Sequence, residues 1–344
     1  MRLRNLILPL LALAIGLNHA AAAADAIGAG ATFPAPIYNQ WADTYKAAGG
    51  GDIGYRAVGS GQGIRQIKAG EADFGASDVP LSAEELREGD LVQFPMVIGG
   101  VVVVANIPSV DASTLHLDGP TLASIFLGKV TRWNDPAIAR TNPGVALPDI
   151  GIVQTHRSDA SGSTFLFTTY LSQMSAEWRD NVGSAAVTEW PNGLGGRGTD
   201  GEGTLVSRLP GAIGYVEYAY AVKHGMGMPQ LSSKDGAWVK AETRTFQAAA
   251  ARVDWARAPI LVNQPGPEAW PVTGASFILM HAKTDKPERA QAALRFFHWS
   301  LSKGGQAAET LSYVPLPPAT VKAVEDAWAQ SLRTADGRQV WTGR

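Results

Sequence analysis

Phe94-Pro95-Met96-Val97-Ile98-Gly99-Gly100-Val101-Val102-Val103-Val104 is a near-continuous apolar run in a chain of 344 residues. An apolar run without alternation suits a strand buried on both faces, as in a sheet covered by helices. Gly99-Gly100 is odd in the middle of a single strand and predicts a bend between domains at that point. A second apolar strand, Ser276-Phe277-Ile278-Leu279-Met280-His281, lies far downstream and could carry the chain back to the first domain. Around these two, strands are predicted at 26–28, 53–58, 73–76 and 150–154, the last delivering Arg157. Helices are predicted at 35–47, 63–69 and 121–126, from Ser82, whose pairing with Glu85 makes a capping box, and from 287 onward. Residues 133–148 and the glycine-rich stretch 193–198 read as loops, and 211–215 as a turn into a strand. Strands alternating with helices indicate an α/β architecture with largely parallel sheets.

The length exceeds the usual single core, so two domains are expected. Arg2 and Arg4, the apolar residues 6–17 and the alanines 20–24 have the charge-apolar-small order of a cleavable secretory signal, with cleavage expected after Ala24. The formal net charge of −2 becomes more negative when the two arginines leave. That acidity argues against nucleic acid, which demands a basic face, and no polybasic run offers a lipid surface. The chain has no cysteine, which excludes disulfides, thiolate metal sites, cysteine nucleophiles and a lipoprotein anchor. The expected location is the periplasm.

Three segments rich in Gly, Ser and Thr stand before helical stretches: Gly28 to Pro34, Gly59 to Gly63 and Ser158 to Phe165. The first turn of a helix has unpaired N–H groups and partial positive charge, and small residues let an anion approach them. Taken singly, each Ser or Thr reads as a helix N-cap, Arg157 as an ion-pair partner of Asp159, and Asp78 as a turn residue before Pro80. Taken together, with Arg157 supplying a planar fork, they suggest a site that encloses a small oxyanion. Thr32, Ser60, Ser161 and Ser163 would donate through hydroxyls, and Phe33 and Gly162 through backbone N–H groups.

Other chemistries fit less well. The six histidines show no metal-ligand spacing, so no metal and no cofactor are expected. Gly28-Ala29-Gly30 lacks the third glycine of a dinucleotide fingerprint, and no phosphate-binding loop with Gly-Lys-Ser/Thr occurs. Ser60 and Ser161 do not sit in a nucleophile elbow, so hydrolysis by a secreted phosphatase is the weaker alternative, and no enzyme activity is expected. A receptor for another tetrahedral oxyanion is the second alternative. Asp78 opposes it, because a carboxylate repels an anion unless the anion carries a proton to share. Phosphate near neutral pH carries one and sulfate does not.

Gly28-Ala29-Gly30-Ala31-Thr32-Phe33-Pro34-Ala35-Pro36, Gly75-Ala76-Ser77-Asp78, Phe94-Pro95 with 97–102, and Arg208-Leu209-Pro210-Gly211-Ala212-Ile213-Gly214-Tyr215-Val216-Glu217-Tyr218 resemble the phosphate-specific substrate-binding proteins of bacterial ABC importers. The resemblance runs through essentially the whole chain after residue 24. It implies a two-lobed, type II-like periplasmic binding fold with two hinge crossings, 25–99 plus 275–344 forming one lobe and 100–274 the other. It implies a monomer that binds inorganic phosphate and hands it to a membrane permease and ATPase. By the same resemblance the phosphate contacts fall on Ala31, Thr32, Phe33, Ser60, Asp78, Arg157, Ser161, Gly162 and Ser163, with Asp159 offsetting the charge of Arg157. Two departures stand out: Ser163 where threonine is usual, and Ala160 where glycine is usual.

Overall fold

The computed structural model describes residues 25–343 apart from 252, 254 and 256–259. The expected secretory signal, residues 1–24, lies outside the described residues. The strands are β1 (Ala26–Gly30), β2 (Ile53–Ala57), β3 (Phe74–Ser77) and β4 (Leu91–Asn106), then β5 (His116–Leu117), β6 (Val153–Arg157), β7 (Leu194–Gly196) and β8 (Ala212–Glu217). β9 (Gln230–Ser232), β10 (Trp238–Val239), β11 (Thr273–His281), β12 (Lys283–Thr284) and β13 (Arg333–Thr334) complete them. The helices are α1 (Ala35–Ala47), α2 (Ser60–Lys68), α3 (Ala83–Glu88), α4 (Gly119–Phe126), α5 (Pro136–Ala139), α6 (Gly162–Met174) and α7 (Ala176–Asn181). After them come α8 (Gly198–Arg208), α9 (Tyr218–Lys223), α10 (Thr243–Ala250), α11 (Pro287–Lys303), α12 (Gly305–Thr310) and α13 (Pro318–Ser331).

Eight strands form one mixed sheet in the order β2-β1-β3-β11-β4-β8-β6-β7. Its two ends are parallel, β2-β1-β3 on one side and β8-β6-β7 on the other. Its centre is antiparallel, where β11 pairs with β3 and β4, and β4 with β8. The two apolar runs of the sequence are thus the middle strands, and the α/β units lie to either side of them.

Gly99-Gly100 does not end the strand: β4 is continuous over 16 residues, and its partner changes there. Residues up to Gly100 pair with β11, and those from Val101 pair with β8. The glycines serve packing. A Cβ on Gly99 would lie 2.7 Å from the Phe33 ring, and one on Gly100 2.2 Å from the Phe246 ring. The strand therefore admits an aromatic ring at the point where its partner changes, and one of those rings belongs to the first glycine-rich segment.

Other boundaries shift for identifiable reasons. α2 starts at Ser60 rather than Gly63, because Gly59 (φ +91) takes the non-helical position just before it. Gly61 and Gly63 are inside the helix to permit close approach, since a Cβ would lie 2.4 Å from Ala160 Cβ and 2.5 Å from Gly30 Cα respectively. β6 runs over 153–157 rather than 150–154, so Arg157 is the last residue of the strand itself. The 193–198 stretch is an edge strand followed by the first residue of α8, and α5 interrupts the predicted loop at 133–148. α4 begins at Gly119 and is buried over most of its surface. The capping box at Ser82 and Glu85 is formed as expected.

Candidate functional site

The residues singled out by the sequence converge where α2 and α6 meet end to end. Ser60 is the first residue of α2, and Gly162 the first of α6. Ser60 Oγ accepts from Asp78 N at 3.2 Å and from Gly162 N at 3.2 Å, and its proton points to Asp78 Oδ2 at 3.4 Å. One hydroxyl thus joins three separate segments. The approach is close enough that a Cβ on Gly162 would sit 2.4 Å from Asp78 Cβ and 2.7 Å from Ser60 Oγ. Gly61 N also donates to Ala160 O at 3.1 Å, so the segments flanking the two helix starts are hydrogen-bonded to each other.

Arg157 is buried at the end of β6, its side chain 2 % exposed. Nε and Nη2 donate to Asp159 Oδ1 and Oδ2 at 2.7 and 2.6 Å, a bidentate pair. Burial alone would lower the Arg157 pKa, but the Asp159 contact more than compensates and holds it above its ordinary value. Asp159 is held below its ordinary range: burial opposes this, and the Arg157 bonds and Gly198 N override it. Gly198 N donates to Asp159 Oδ1 at 2.9 Å, so the carboxylate also caps the start of α8. The two donors given to Asp159 leave three of the five guanidinium N–H groups for other partners. Tyr215 OH accepts from Arg157 N at 3.2 Å, anchoring the strand end from β8.

The first segment is held by its carbonyls. Tyr55 OH donates to Ala31 O at 2.6 Å and Tyr313 OH to Phe33 O at 2.6 Å, while Ala31 N donates to Ala76 O at 2.9 Å. Both polar groups of Ala31 are therefore engaged within the protein, and Ala31 fixes the position of its neighbours. Thr32 Oγ1 lies 3.0 Å from Thr199 Oγ1. Ser161 is the N-cap of α6, its Oγ accepting from Thr164 N at 3.2 Å. Among the described residues, the buried polar atoms without a partner at this place include Asp78 Oδ1, Ser163 Oγ, Glu202 Oε2 and Ser276 Oγ, the last near enough to Asp78 to lower its pKa. An unpaired buried oxygen costs on the order of 1–3 kcal/mol, and more when charged, so such atoms mark where a ligand would be held. Ala160 adopts no positive φ, so its side chain is accommodated without strain.

The sequence reading missed two acids. Glu202 of α8 and Glu217 at the end of β8 are fully buried beside Arg157. Glu202 Oε1 accepts from Tyr215 N at 3.0 Å, and Glu217 Oε2 from Thr199 Oγ1 at 2.8 Å. Burial pushes Asp78 up to about 7 and each glutamate up to about 8. The one trace of Glu217 in the sequence is an acid closing the apolar strand Ile213-Gly214-Tyr215-Val216, too common a pattern to single it out. Among the described residues no group of three or more metal-ligating side chains occurs. His156 Nδ1 lies 3.1 Å from Arg157 O, and its ring stacks on Trp190 at 4.8 Å, so the imidazole is occupied away from Ser161. A cavity of about 720 Å³ adjoins the site, lined by Thr32, Asp159, Arg197, Thr199, Glu217 and Tyr220 among others.

Comparison with known proteins places this geometry in a family. A family model described as a PBP superfamily domain matches residues 18–303. The chain is 46 % identical over 318 residues to the phosphate-binding protein PstS of Pasteurella multocida, covering 91 % of this chain and 92 % of that protein. Among solved structures it superposes on a phosphate-binding protein from Stenotrophomonas maltophilia with a TM-score of 0.65 at 19 % identity, covering 88 % of this chain and 94 % of that one. It superposes on an ABC-type phosphate transport receptor from Vibrio cholerae with a TM-score of 0.55 at 18 % identity, covering 85 % and 100 %. At that identity the structural matches speak for the fold.

Proposed function

We propose a role for a chain that belongs to the PBP superfamily and, within it, to the PstS phosphate-binding proteins: a periplasmic receptor that encloses one inorganic phosphate and delivers it to an ABC-type membrane importer. The residues 1–24 are its cleaved secretory signal, and it acts as a monomer without catalysis. Residues 25–99 with 275–344 form one lobe and 100–274 the other, hinged where β4 and β11 cross between them. Phosphate is held by Thr32, Phe33, Ser60, Asp78, Arg157, Ser161, Gly162 and Ser163, with Ala31 fixing the first of these segments and Asp159 offsetting the charge of Arg157.

The observation that carries this reading is the junction of Ser60, Asp78 and Gly162, with the unpartnered Asp78 Oδ1 and Ser163 Oγ beside a buried Arg157. Backbone and hydroxyl donors with a single arginine suit an oxyanion, and Asp78 among those donors suits one that carries a proton. Hydrolysis would need a base at one of the serines, and the nearest histidine in the sequence is engaged elsewhere.

The test is calorimetric titration of phosphate-stripped protein with phosphate, arsenate and sulfate in parallel at pH 8.5, where Asp78 is ionised and phosphate still carries a proton. Arsenate keeps both the shape and the proton of phosphate. The expected result is one equivalent of phosphate bound, arsenate binding detectably and sulfate not. Sustained turnover of a chromogenic phosphate ester, abolished in Ser161→Ala, would instead establish the phosphatase.

A further inference from the structure

Thr32, Thr199 and Glu217 form a hydrogen-bonded chain of three side chains running from the cleft into the protein. Thr32 Oγ1 lies 3.0 Å from Thr199 Oγ1, and Thr199 Oγ1 lies 2.8 Å from Glu217 Oε2. Thr199 and Glu217 are 5 % and 2 % exposed. A hydroxyl has one proton to donate. When Glu217 is ionised, the Thr199 proton must go to its carboxylate. The Thr32 proton is then the only one available between the two threonines, and it goes to Thr199. Thr32 is left presenting lone pairs to the cleft. When Glu217 is protonated every bond in the chain can reverse. Glu217 donates to Thr199, Thr199 donates to Thr32, and the Thr32 proton is free for an anion.

We propose that Glu217 and Thr199 are positioning residues that decide whether Thr32 offers the bound anion a proton or a lone pair. The proposal rests on the reading of Thr32 as a phosphate contact. It makes phosphate binding dependent on a proton held two side chains away from the ligand.

The surroundings of Glu217 put that proton in a useful range. Burial pushes its carboxyl up to about 8, its bond from Thr199 and the charge of Arg157 on β6 pull it down, and Asp78 beyond β3 pushes it up. Glu202 of α8 faces it as a second acid, and the hydroxyls of Tyr313 and Tyr220 lie within its field. Thr32, Thr199 and Glu217 all line the cavity of about 720 Å³, which gives the proton a path from solvent. The relay therefore donates at neutral pH and reverses in alkali.

The experiment is phosphate affinity by calorimetry from pH 6.5 to 9.5 for the wild type, Glu217→Gln and Thr199→Val. The ionisation of phosphate itself is common to all three, so the ratio of affinities is read. An amide at position 217 keeps a donor toward Thr199 at every pH. The wild type and Glu217→Gln should bind alike at pH 6.5, and the variant should bind about tenfold more tightly at pH 9.5, the worth of one hydrogen bond to an anion. Titration near pH 8.5 in buffers of differing ionisation heat should show the wild type taking up a larger fraction of a proton on binding than Glu217→Gln. Thr199→Val keeps the shape and frees the Thr32 proton, so the wild type should lose affinity relative to it as pH rises. This holds the test open even where Glu217→Gln does not fold. A ratio flat with pH in both comparisons overturns the relay while leaving the receptor reading intact. Absence of phosphate binding in the wild type at every pH overturns the receptor reading itself.

Discussion

Two sets of buried charges lie within one cleft and behave oppositely. Arg157 and Asp159 are bonded to each other at two points, and the pair is held in its charged form. Asp78, Glu202 and Glu217 have no cation bonded to them, and burial lifts all three toward or past neutrality. The pair supplies a fixed cationic fork, and the lone acids supply protons that come and go. A site that must hold an anion and also recognise its proton needs both kinds.

The sharpest way to break the contrast is to remove the fixed half. Arg157→Ala leaves the partly buried Asp159 with Gly198 N as its remaining partner. Phosphate affinity should fall by about 2–5 kcal/mol, the cost of truncating a buried charge-assisted contact, with the protein still folded by circular dichroism. Ser60→Ala strikes the junction between the helix starts and orphans the N–H groups of Asp78 and Gly162. Its cost in calorimetric affinity should be smaller, about 1–3 kcal/mol.

The titrating half is broken by Asp78→Asn. An amide can donate as well as accept, so the variant should keep most of its phosphate affinity at pH 8 while the preference over sulfate narrows. Equal loss of both anions in calorimetry would make Asp78 a support of the fold alone. The same acids set how stability depends on pH in phosphate-free buffer. Their folded values lie above those of an unfolded chain, which sheds these protons near pH 4. The folded state therefore loses stability as pH rises from about 4, and the loss continues until pH passes about 7 for Asp78 and about 8 for the glutamates. Asp159, held low, contributes with the opposite sign: its stabilisation is present above its unfolded value and is lost as pH falls through its folded value. Melting temperature should accordingly decline between pH 5 and 8 by on the order of 5 °C, and less in Asp78→Asn. The smallest effect belongs to Ala160→Gly. Ala160 has no strained backbone, so affinity should change by no more than about 0.5 kcal/mol.

The same contrast separates what the sequence made legible from what it hid. The two apolar runs could be read as buried strands because residues covered on both faces leave no polar alternation. Their antiparallel pairing at the centre of the sheet could not, because partner choice depends on contacts remote in sequence. Gly99-Gly100 read as a bend because strand glycines often mark one; that they also make room for the rings of Phe33 and Phe246 is invisible until the chain folds. Ser60, Asp78, Arg157 and Gly162 were legible as site candidates because small and polar residues before helices leave a local signature, and the structure brings them together. Thr199 and Glu217 carry no such signature. A threonine in the first turn of a helix and an acid at a strand end are commonplace, and only the 2.8 and 3.0 Å contacts make them part of the cleft.

The central claim is that an acid in the cleft recognises the proton of its ligand, and sulfate tests it most directly. Sulfate has no proton of its own, so it should bind only when Asp78 has taken one from solvent. Calorimetric titration of wild-type protein with sulfate and with phosphate from pH 5.5 to 8.5 would compare the two. The account predicts sulfate affinity rising as pH falls from 8.5 toward about 7, where Asp78 gains its proton, and levelling off below that, with phosphate retained at one equivalent throughout. Sulfate bound as tightly as phosphate at pH 8.5, or a sulfate affinity indifferent to pH, would contradict it.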